Sequence, residues 1–336
     1  MTTIKAFDAM SQFHVFSILA ASLRYKDVEH IEIELIPGLN GSYCLPELQF
    51  LLEGRSVRVV HGKKARPGLC ALLKLSLKFL AYLLFGRRKQ NPKYILMHHT
   101  YIKPTIFSPL TVKESCSAWV ITFEEGVGTY GDLSHHLKAA KLEKKKFPVI
   151  SHFLRKFLSE FSRARFSVLD CCQPSDAQNF QKSVLAIARE THAWEIIATS
   201  LAHLKQKDDA TVRVIIFGSP FVDLGCISTD TYRKYIRSLL AGHAGCHVFV
   251  KPHPLEEKSL PIYRELGASM LEPSIGGEVV IDLIRPTLVI GFHSGSLLVA
   301  RNVYKIPFSL IPIANFTDRD DPLFTSPAIR KLYQEA

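Results

Sequence analysis

Apolar residues follow two rhythms along this chain, and the rhythms alternate. Short runs rich in β-branched and aromatic residues read as strands, and longer stretches with apolar positions three or four apart read as helices. In the first half, strands are predicted at 4–10, 30–36, 56–61, 94–100 and 117–123. A helix is expected at 11–23, with Phe13, Phe16, Ile18, Leu19 and Leu23 at mostly helical spacing and Ser11 as its cap. A short helix is expected at 45–52, where Pro46 falls in the tolerant first turn. Residues 132–165 read as a basic helical region broken near Pro148, and 166–171 as a further strand.

Residues 173–176, polar and containing Pro174, read as a linker, after which the alternation restarts. Helices are predicted at 191–206, 229–240, 277–284 and 296–301, and strands at 212–218, 247–250, 288–292 and 308–313. Ser228 or Thr229 caps the second of these helices, and the third ends ahead of Pro286. Short β-rich runs separated by helices argue for parallel sheets covered on both faces. The expected fold is α/β, with two doubly wound, Rossmann-like domains spanning 1–172 and 173–336.

The 336 residues, 47% hydrophobic and 22% charged, suffice for two cores of ordinary size. No repeat of fixed period and no low-complexity tract is visible. With 42 Lys and Arg against 31 Asp and Glu, the formal net charge is +11. That balance suits an anionic partner such as a nucleotide, an acidic glycan or a membrane surface, and it equally suits a soluble protein of high pI. No interleaving of aromatic and basic residues marks a nucleic-acid surface, so nucleic acid is not expected as a partner. The cysteines, Cys44, Cys70, Cys116, Cys171, Cys172, Cys226 and Cys246, are odd in number and form no CxxC pair. They point to a reduced, cytosolic protein. Residues 1–11 lack the basic flank, apolar core and cleavage site of a signal peptide.

Residues 69–85 read LCALLKLSLKFLAYLLF and are followed by Gly86-Arg87-Arg88-Lys89. Lys74 and Lys78 share a helical face with Ala71, Ala81 and Arg88. About 17 residues with two lysines inside make a poor transmembrane span. A largely buried domain helix is expected. The alternative is an interfacial amphipathic helix, with 69–89 in peripheral contact with an anionic membrane.

Three motifs carry candidate chemistry. Glu124-Glu125-Gly126 follows the strand 117–123 and runs into Val127-Gly128-Thr129-Tyr130-Gly131. Gly126 and Gly128 allow an open turn where backbone can approach a ligand. Adjacent side chains of a strand point to opposite faces, so one glutamate can face a ligand easily. A carboxylate there can take a proton from an attacking hydroxyl, although two adjacent glutamates alone also fit a solvated turn. GVGTYG matches GxGxxG literally. It lies late in the first half, outside the first strand–helix unit, which argues against a dinucleotide fingerprint.

Lys251-Pro252-His253-Pro254 is sharper. Prolines on both sides hold the imidazole in a rigid turn at a strand end. A histidine so placed can act on a leaving phosphate as general acid or charged hydrogen-bond donor, with Lys251 adding positive charge. A surface histidine in a proline turn is the plainer reading. The third motif, Gly291-Phe292-His293-Ser294-Gly295-Ser296, opens the helix 296–301. A helix N-terminus with serine hydroxyls suits phosphate, and Ser294 or Ser296 also suits an ordinary N-cap. His293 fits a phosphate site less well than a packed position. His98-His99 and His135-His136 lack the spacing of a helical zinc site, and no HExxH, Walker loop or GxSxG occurs, so no metal is expected.

In order and placement, Glu124-Glu125-Gly126, His253-Pro254 and Ser294-Gly295-Ser296 resemble the motifs of the bacterial sialyltransferases. These include the lipooligosaccharide sialyltransferases and the capsular polysialyltransferases. Ser11-Gln12-Phe13-His14 also resembles that family's N-terminal start. The third motif departs from the family's paired Ser-Ser/Thr, since Gly295 separates the serines. The resemblance implies the GT-B fold, with an acceptor-side first domain facing a CMP-sugar-binding second domain across a cleft. It implies inverting, metal-independent transfer of sialic acid from CMP-sialic acid to a glycan hydroxyl, with no cofactor. Glu124 is the favoured base and Glu125 the alternative. His253, Lys251, Ser294, Gly295, Ser296 and the helix N-terminus would meet the departing phosphate, and Glu272 the cytidine ribose. Lys138, Lys141, Lys144, Lys145, Lys146, Arg155, Lys156, Arg163 and Arg165 would suit a polyanionic or lipid-linked acceptor, as well as a solvated helix face. The implied location is the cytoplasm, or the inner face of the bacterial cytoplasmic membrane. The rival readings are a GT-B transferase of surface polysaccharide synthesis using another sugar nucleotide, and a non-catalytic, basic glycan-binding protein.

Overall fold

A computed structural model gives the conformation of the chain. It describes residues 2–9, 12–25, 27–35, 55–61, 69–88, 90–99, 104–124, 164–167, 183–187, 212–273, 275–311 and 327–334, with single positions at 133, 137, 149 and 189. The segments expected at 45–52, 173–176 and 191–206 lie outside the described residues.

The first half runs β1 (Thr2–Ala9), α1 (Gln12–Leu23), β2 (Val28–Leu35), β3 (Ser56–His61), α2 (Leu69–Leu84), β4 (Tyr94–His99), α3 (Val112–Ser115), β5 (Ala118–Glu124) and β6 (Ala164–Ser167). Its strands form one sheet in the order β3-β2-β1-β4-β5-β6. Every pair is parallel. Consecutive residues Ile95, Leu96 and Met97 are all buried, which requires apolar cover on both faces. Val15, Ile18 and Leu19 of α1 are buried as well.

The second half runs β7 (Arg213–Phe217), α4 (Thr229–Gly242), β8 (His247–Lys251), α5 (Leu260–Glu265), β9 (Ser269–Met270), α6 (Gly277–Ile284), β10 (Leu288–Gly291), α7 (Gly295–Tyr304), β11 (Phe308–Leu310) and α8 (Pro327–Gln334). A second all-parallel sheet has the order β11-β10-β7-β8-β9. Val214, Ile216, Val250 and Ile290 from its strands pack with Phe221, Tyr232, Ile236, Tyr263 and Phe292 in one core. The Phe221 and Phe292 rings meet edge to face, with centroids 4.7 Å apart. Each sheet belongs to its own compact unit. The two parallel, doubly wound sheets are the α/β architecture the alternation predicted.

Both sheets reverse direction beside their first strand. The chain adds β2 and β3 on one side of β1 and β4 to β6 on the other; it adds β8 and β9 on one side of β7 and β10 and β11 on the other. Ligands of such sheets bind outside the carboxyl ends of the strands at these reversals. In the second sheet that point lies between β7 and β10.

Four expectations need correction. The strand expected at 166–171 is Ala164–Ser167, so Ala164 and Arg165 leave the predicted helical region 132–165. The cause is register: Ala164 pairs with Ile121 and Ser167 with Glu124, which pulls the edge strand forward. The helix expected at 296–301 is Gly295–Tyr304, because Ser294 rather than Ser296 is the N-cap. The alternation reading passed over α3, α5, β9 and α8, all eight residues or shorter. Finally, the helix expected to be largely buried at 69–85 is buried on one side only. Leu75 and Tyr82 of α2 pack on Ile106, Phe107 and Leu110, while Leu73, Leu77, Leu80 and Leu84 are exposed. Gly86 lets the chain after α2 pack closely on its own unit, since a Cβ there would collide with the carbonyl oxygens of Ser115 and Ala118.

Candidate active site

β8 ends in Lys251, and the chain turns at once through Pro252, His253 and Pro254. The Lys251 side chain is 3% exposed. Its Nζ donates to the carbonyl of Pro252 at 2.7 Å and to that of Pro273 at 3.0 Å. Burial pushes the ammonium down to about 8, opposed by the carboxylates of Glu278, Glu256 and Glu272. Lys251 is therefore a charge beneath the turn, with two of its three ammonium protons given to backbone. The expected direct contact with phosphate is left one proton.

His253 sits above that charge. Its Nδ1 accepts the backbone N–H of Leu255 at 3.1 Å, so the proton of the neutral ring is on Nε2. Burial first, and the Lys251 charge second, hold the imidazole down at about 4. At neutral pH it is an uncharged Nε2–H donor, not the charged donor the motif alone had allowed.

What holds this ring was not among the expected site residues. Glu256, 2% exposed, accepts the backbone N–H of His253 on Oε2 at 2.6 Å. On Oε1 it accepts Tyr263 at 2.8 Å and, more weakly, Tyr232 at 3.4 Å. The two tyrosine hydroxyls are 2.6 Å apart. Burial raises the Glu256 carboxyl to about 7, against the lowering effect of these hydrogen bonds. Tyr232 comes from α4 and Tyr263 from α5, so the turn is tied to two helices behind the sheet. Gly218, just past β7, completes the packing, since a Cβ there would overlap both Glu256 and the Tyr263 hydroxyl. The only sequence signal was a glutamate three residues after the histidine, beside a second, exposed glutamate.

The third motif lands at the end of β10. Ser294 caps α7, its Oγ accepting the backbone N–H of Ser296 at 3.3 Å. That use leaves the Ser294 hydroxyl proton to give. The Ser296 hydroxyl instead donates to Oε1 of Glu278, in the first turn of α6, at 2.9 Å. Gly277 permits this approach, because a Cβ there would overlap Ser296. The N-termini of α6 and α7 thus meet through Glu278, which also faces Lys251. Gly295 is the first residue of α7. His293 packs against Tyr333, centroids 4.8 Å apart, and burial with the Arg330 charge holds its ring down at about 4. Glu272 lies on the surface just past β9, within reach of the Lys251 charge.

In the first sheet, Glu124 is the last residue of β5 and pairs with Ser167 of β6. Glu125, Gly126 and Gly128 lie outside the described residues. Within the second unit, the structure brings Lys251, His253, Ser294, Gly295 and Ser296 to one end of one sheet, around the β7–β10 reversal. There a neutral donor, a buried cation and two helix N-termini can receive an anionic group.

The fold is shared with a known enzyme. An α/β-galactoside α-2,3-sialyltransferase from the luminous marine bacterium Photobacterium phosphoreum superposes with a TM-score of 0.58 at 12% identity, covering 100% of this chain and 95% of that one. A UDP-GlcNAc 2-epimerase from Neisseria meningitidis gives 0.47 at 12% identity, over 88% of this chain and 79% of its own. An Arabidopsis thaliana UGT89C1 structure complexed with UDP gives 0.45 at 12% identity, over 99% and 92%. No curated protein matches by sequence. The family model for alpha-2,8-polysialyltransferase (POLYST) matches residues 91–310, well over half of the chain, a span that holds all three motifs. The chain therefore belongs to the alpha-2,8-polysialyltransferase family of bacterial sialyltransferases and is a glycosyltransferase of the GT-B fold.

Proposed function

We propose that this enzyme moves sialic acid from CMP-sialic acid, with inversion, onto the terminal sialic acid of a growing α2,8-linked glycan. The observation that carries the reading is the end of the second sheet, where the His253 turn and the α7 N-terminus flank β7 at the strand reversal.

The chemistry follows from these groups. Cleavage at the tertiary anomeric carbon passes through an oxocarbenium-like transition state, and negative charge grows on the departing CMP phosphate. His253 Nε2–H, the Ser294 hydroxyl and the Gly295 N–H that opens α7 donate to that charge, above the Lys251 ammonium. Phosphate arriving beside the imidazole raises its pKa, so His253 can also take a proton in the complex. This set of donors meets the phosphate charge without a metal or cofactor. Ser296 serves the site through Glu278, which makes Ser294 the better phosphate donor of the two. Glu272 is assigned to the cytidine ribose. Glu124, with Glu125 as alternative, takes the proton of the attacking hydroxyl. The acceptor is read as capsular polysialic acid or a related lipooligosaccharide glycan, extended in the cytoplasm or at the inner face of the cytoplasmic membrane.

Donor choice tests this directly. CMP at about a hundred times its Kd is expected to add about 2.7 kcal/mol of stability in thermal unfolding, with UDP and GDP adding none at equal concentration. Protection by UDP or GDP but not CMP would overturn the donor assignment in favour of another sugar nucleotide.

A further inference from the structure

One apolar surface has no part in the sheet-end chemistry. Leu73, Leu77, Leu80, Leu84 and Phe85 of α2 and its end are 60%, 57%, 49%, 55% and 60% exposed. At 100° per residue the four leucines fall within about 60° of one another, so they form a single stripe. Leu75 and Tyr82, which dock the helix on its own unit, lie on the opposite side. The helix is therefore apolar on two faces, and only one is covered. Its orientation is fixed from beneath by the Phe107 ring, whose centroid is 5.4 Å from that of Tyr82, and by Lys78 Nζ, which donates to the carbonyls of Phe107 and Ser108 at 3.2 and 3.0 Å.

The surrounding charge selects the occupant. Between Glu53 and Glu114 the sequence contains 13 Lys and Arg and not one Asp or Glu: Arg55, Arg58, Lys63, Lys64, Arg66, Lys74, Lys78, Arg87, Arg88, Lys89, Lys93, Lys103 and Lys113. Lys74 and Arg88, exposed at either end of the stripe, are described members of this set. A second copy of the chain would bring an equal basic set against this one, which like-charge repulsion disfavours. Neither α2, at 16 residues, nor any other helix among the described residues is long and apolar enough to cross a membrane. An apolar stripe with basic flanks suits a helix lying flat in the headgroup region of an anionic bilayer.

We propose that α2 is a membrane-docking surface, inserting Leu73, Leu77, Leu80, Leu84 and Phe85 among the acyl chains of an anionic leaflet while Lys74 and Arg88 meet its headgroups. The leucines drive insertion and the charge selects the lipid. This deepens the location proposed above but does not rest on the transfer chemistry, because lipid binding is read without donor or acceptor.

The test is co-sedimentation of the full chain with phosphatidylglycerol/phosphatidylethanolamine vesicles and with neutral phosphatidylcholine vesicles. Wild type is compared with the double variant Leu77→Glu/Leu84→Glu and with Lys74→Glu/Arg88→Glu. The leucine variant changes only exposed positions, so its melting temperature should stay near that of wild type. Expected results are binding to anionic vesicles that weakens with salt, at least about tenfold weaker binding to neutral ones, and at least about tenfold loss in each variant. Wild type that stays in the supernatant with anionic vesicles would overturn the proposal. So would a wild-type dimer in solution that the leucine variant converts to monomer while vesicle binding is unchanged, which would make the stripe a self-interface. Equal binding to neutral and anionic vesicles would overturn the assignment of an anionic leaflet.

Discussion

The carboxyl ends of β8 and β5 each present a motif residue, and they are set in place by different means. At β8 the His253 ring is fixed through side chains from elsewhere in the second unit. Two prolines bend the chain, Glu256 takes the His253 N–H, two buried tyrosines hold Glu256, and Leu255 fixes the tautomer. At β5 the backbone of Glu124 is set by strand pairing, Phe123 opposite His99 and Glu124 opposite Ser167, with Ile121 and Thr122 buried behind it. The difference is instructive. A ladder places a residue's backbone at a sheet end, whereas orienting an imidazole and choosing its protonation state takes a buried network.

The sharpest way to break the comparison is to remove the two motif residues in turn. His253→Ala is expected to lower kcat/KM by about 100- to 1,000-fold while the melting temperature changes little, because the ring is supported by its neighbours rather than supporting them. Glu124→Gln and Glu125→Gln, measured side by side, should differ. The variant that removes the base should lose about 100- to 10,000-fold in kcat, and the other should keep most of its activity.

Next in size is the network itself. Glu256→Ala leaves the His253 N–H and the hydroxyl end of the coupled tyrosine pair without their acceptor, at an expected cost of about 2–4 kcal/mol in denaturant unfolding. It should also lower kcat. Glu256→Gln, which keeps an acceptor and the packing, should recover most of both. Equal losses in the two variants would mean that the negative charge matters rather than the hydrogen bonds.

The pH dependence of stability sharpens the same point. The folded Glu256 carboxyl is raised from 4.5 to about 7. Its contribution is thus most favourable below pH 4.5 and is lost as pH rises from there through about 7. Unfolding free energies of wild type minus Glu256→Gln should therefore fall across that window by about 3 kcal/mol at most. His253 and Lys251 titrate in both proteins, so the difference isolates Glu256. A flat difference curve would show that the carboxyl is not desolvated as its burial implies.

The smallest expected effect concerns the serines. Ser294→Ala removes the cap of α7 and should cost about 1 kcal/mol of stability as well as activity. Ser296→Ala should affect activity less, since its hydroxyl is engaged with Glu278. The reverse ranking in KM for donor would move the phosphate contact to Ser296.

These residues also show what a sequence can reveal. Strands β7, β8 and β10 were legible because residues such as Val214, Ile215 and Ile216 form unbroken apolar runs, the mark of strands covered on both faces. His253 was legible because the prolines beside it act locally, on φ and on the preceding residue. Glu256 was not. What makes it special is burial beneath Gly218 with Tyr232 and Tyr263, a tertiary fact with no local pattern. Ser294 and Ser296 suit the cap equally in the sequence, since the two differ only in where the helix starts. The α2 stripe failed for the opposite reason: a helix apolar on two faces reads as buried, whether or not the second face is covered.

The most direct test of the central claim is CMP release from CMP-sialic acid, measured with and without α2,8-linked sialic acid oligomers and galactose-terminated glycans, for wild type beside His253→Ala and Glu124→Gln. The account predicts release that depends on acceptor, with lengthening of the oligomer, lost in His253→Ala and reduced in Glu124→Gln while both variants stay folded. Folded wild type that releases no CMP with any of these acceptors, or full activity in His253→Ala, would contradict it.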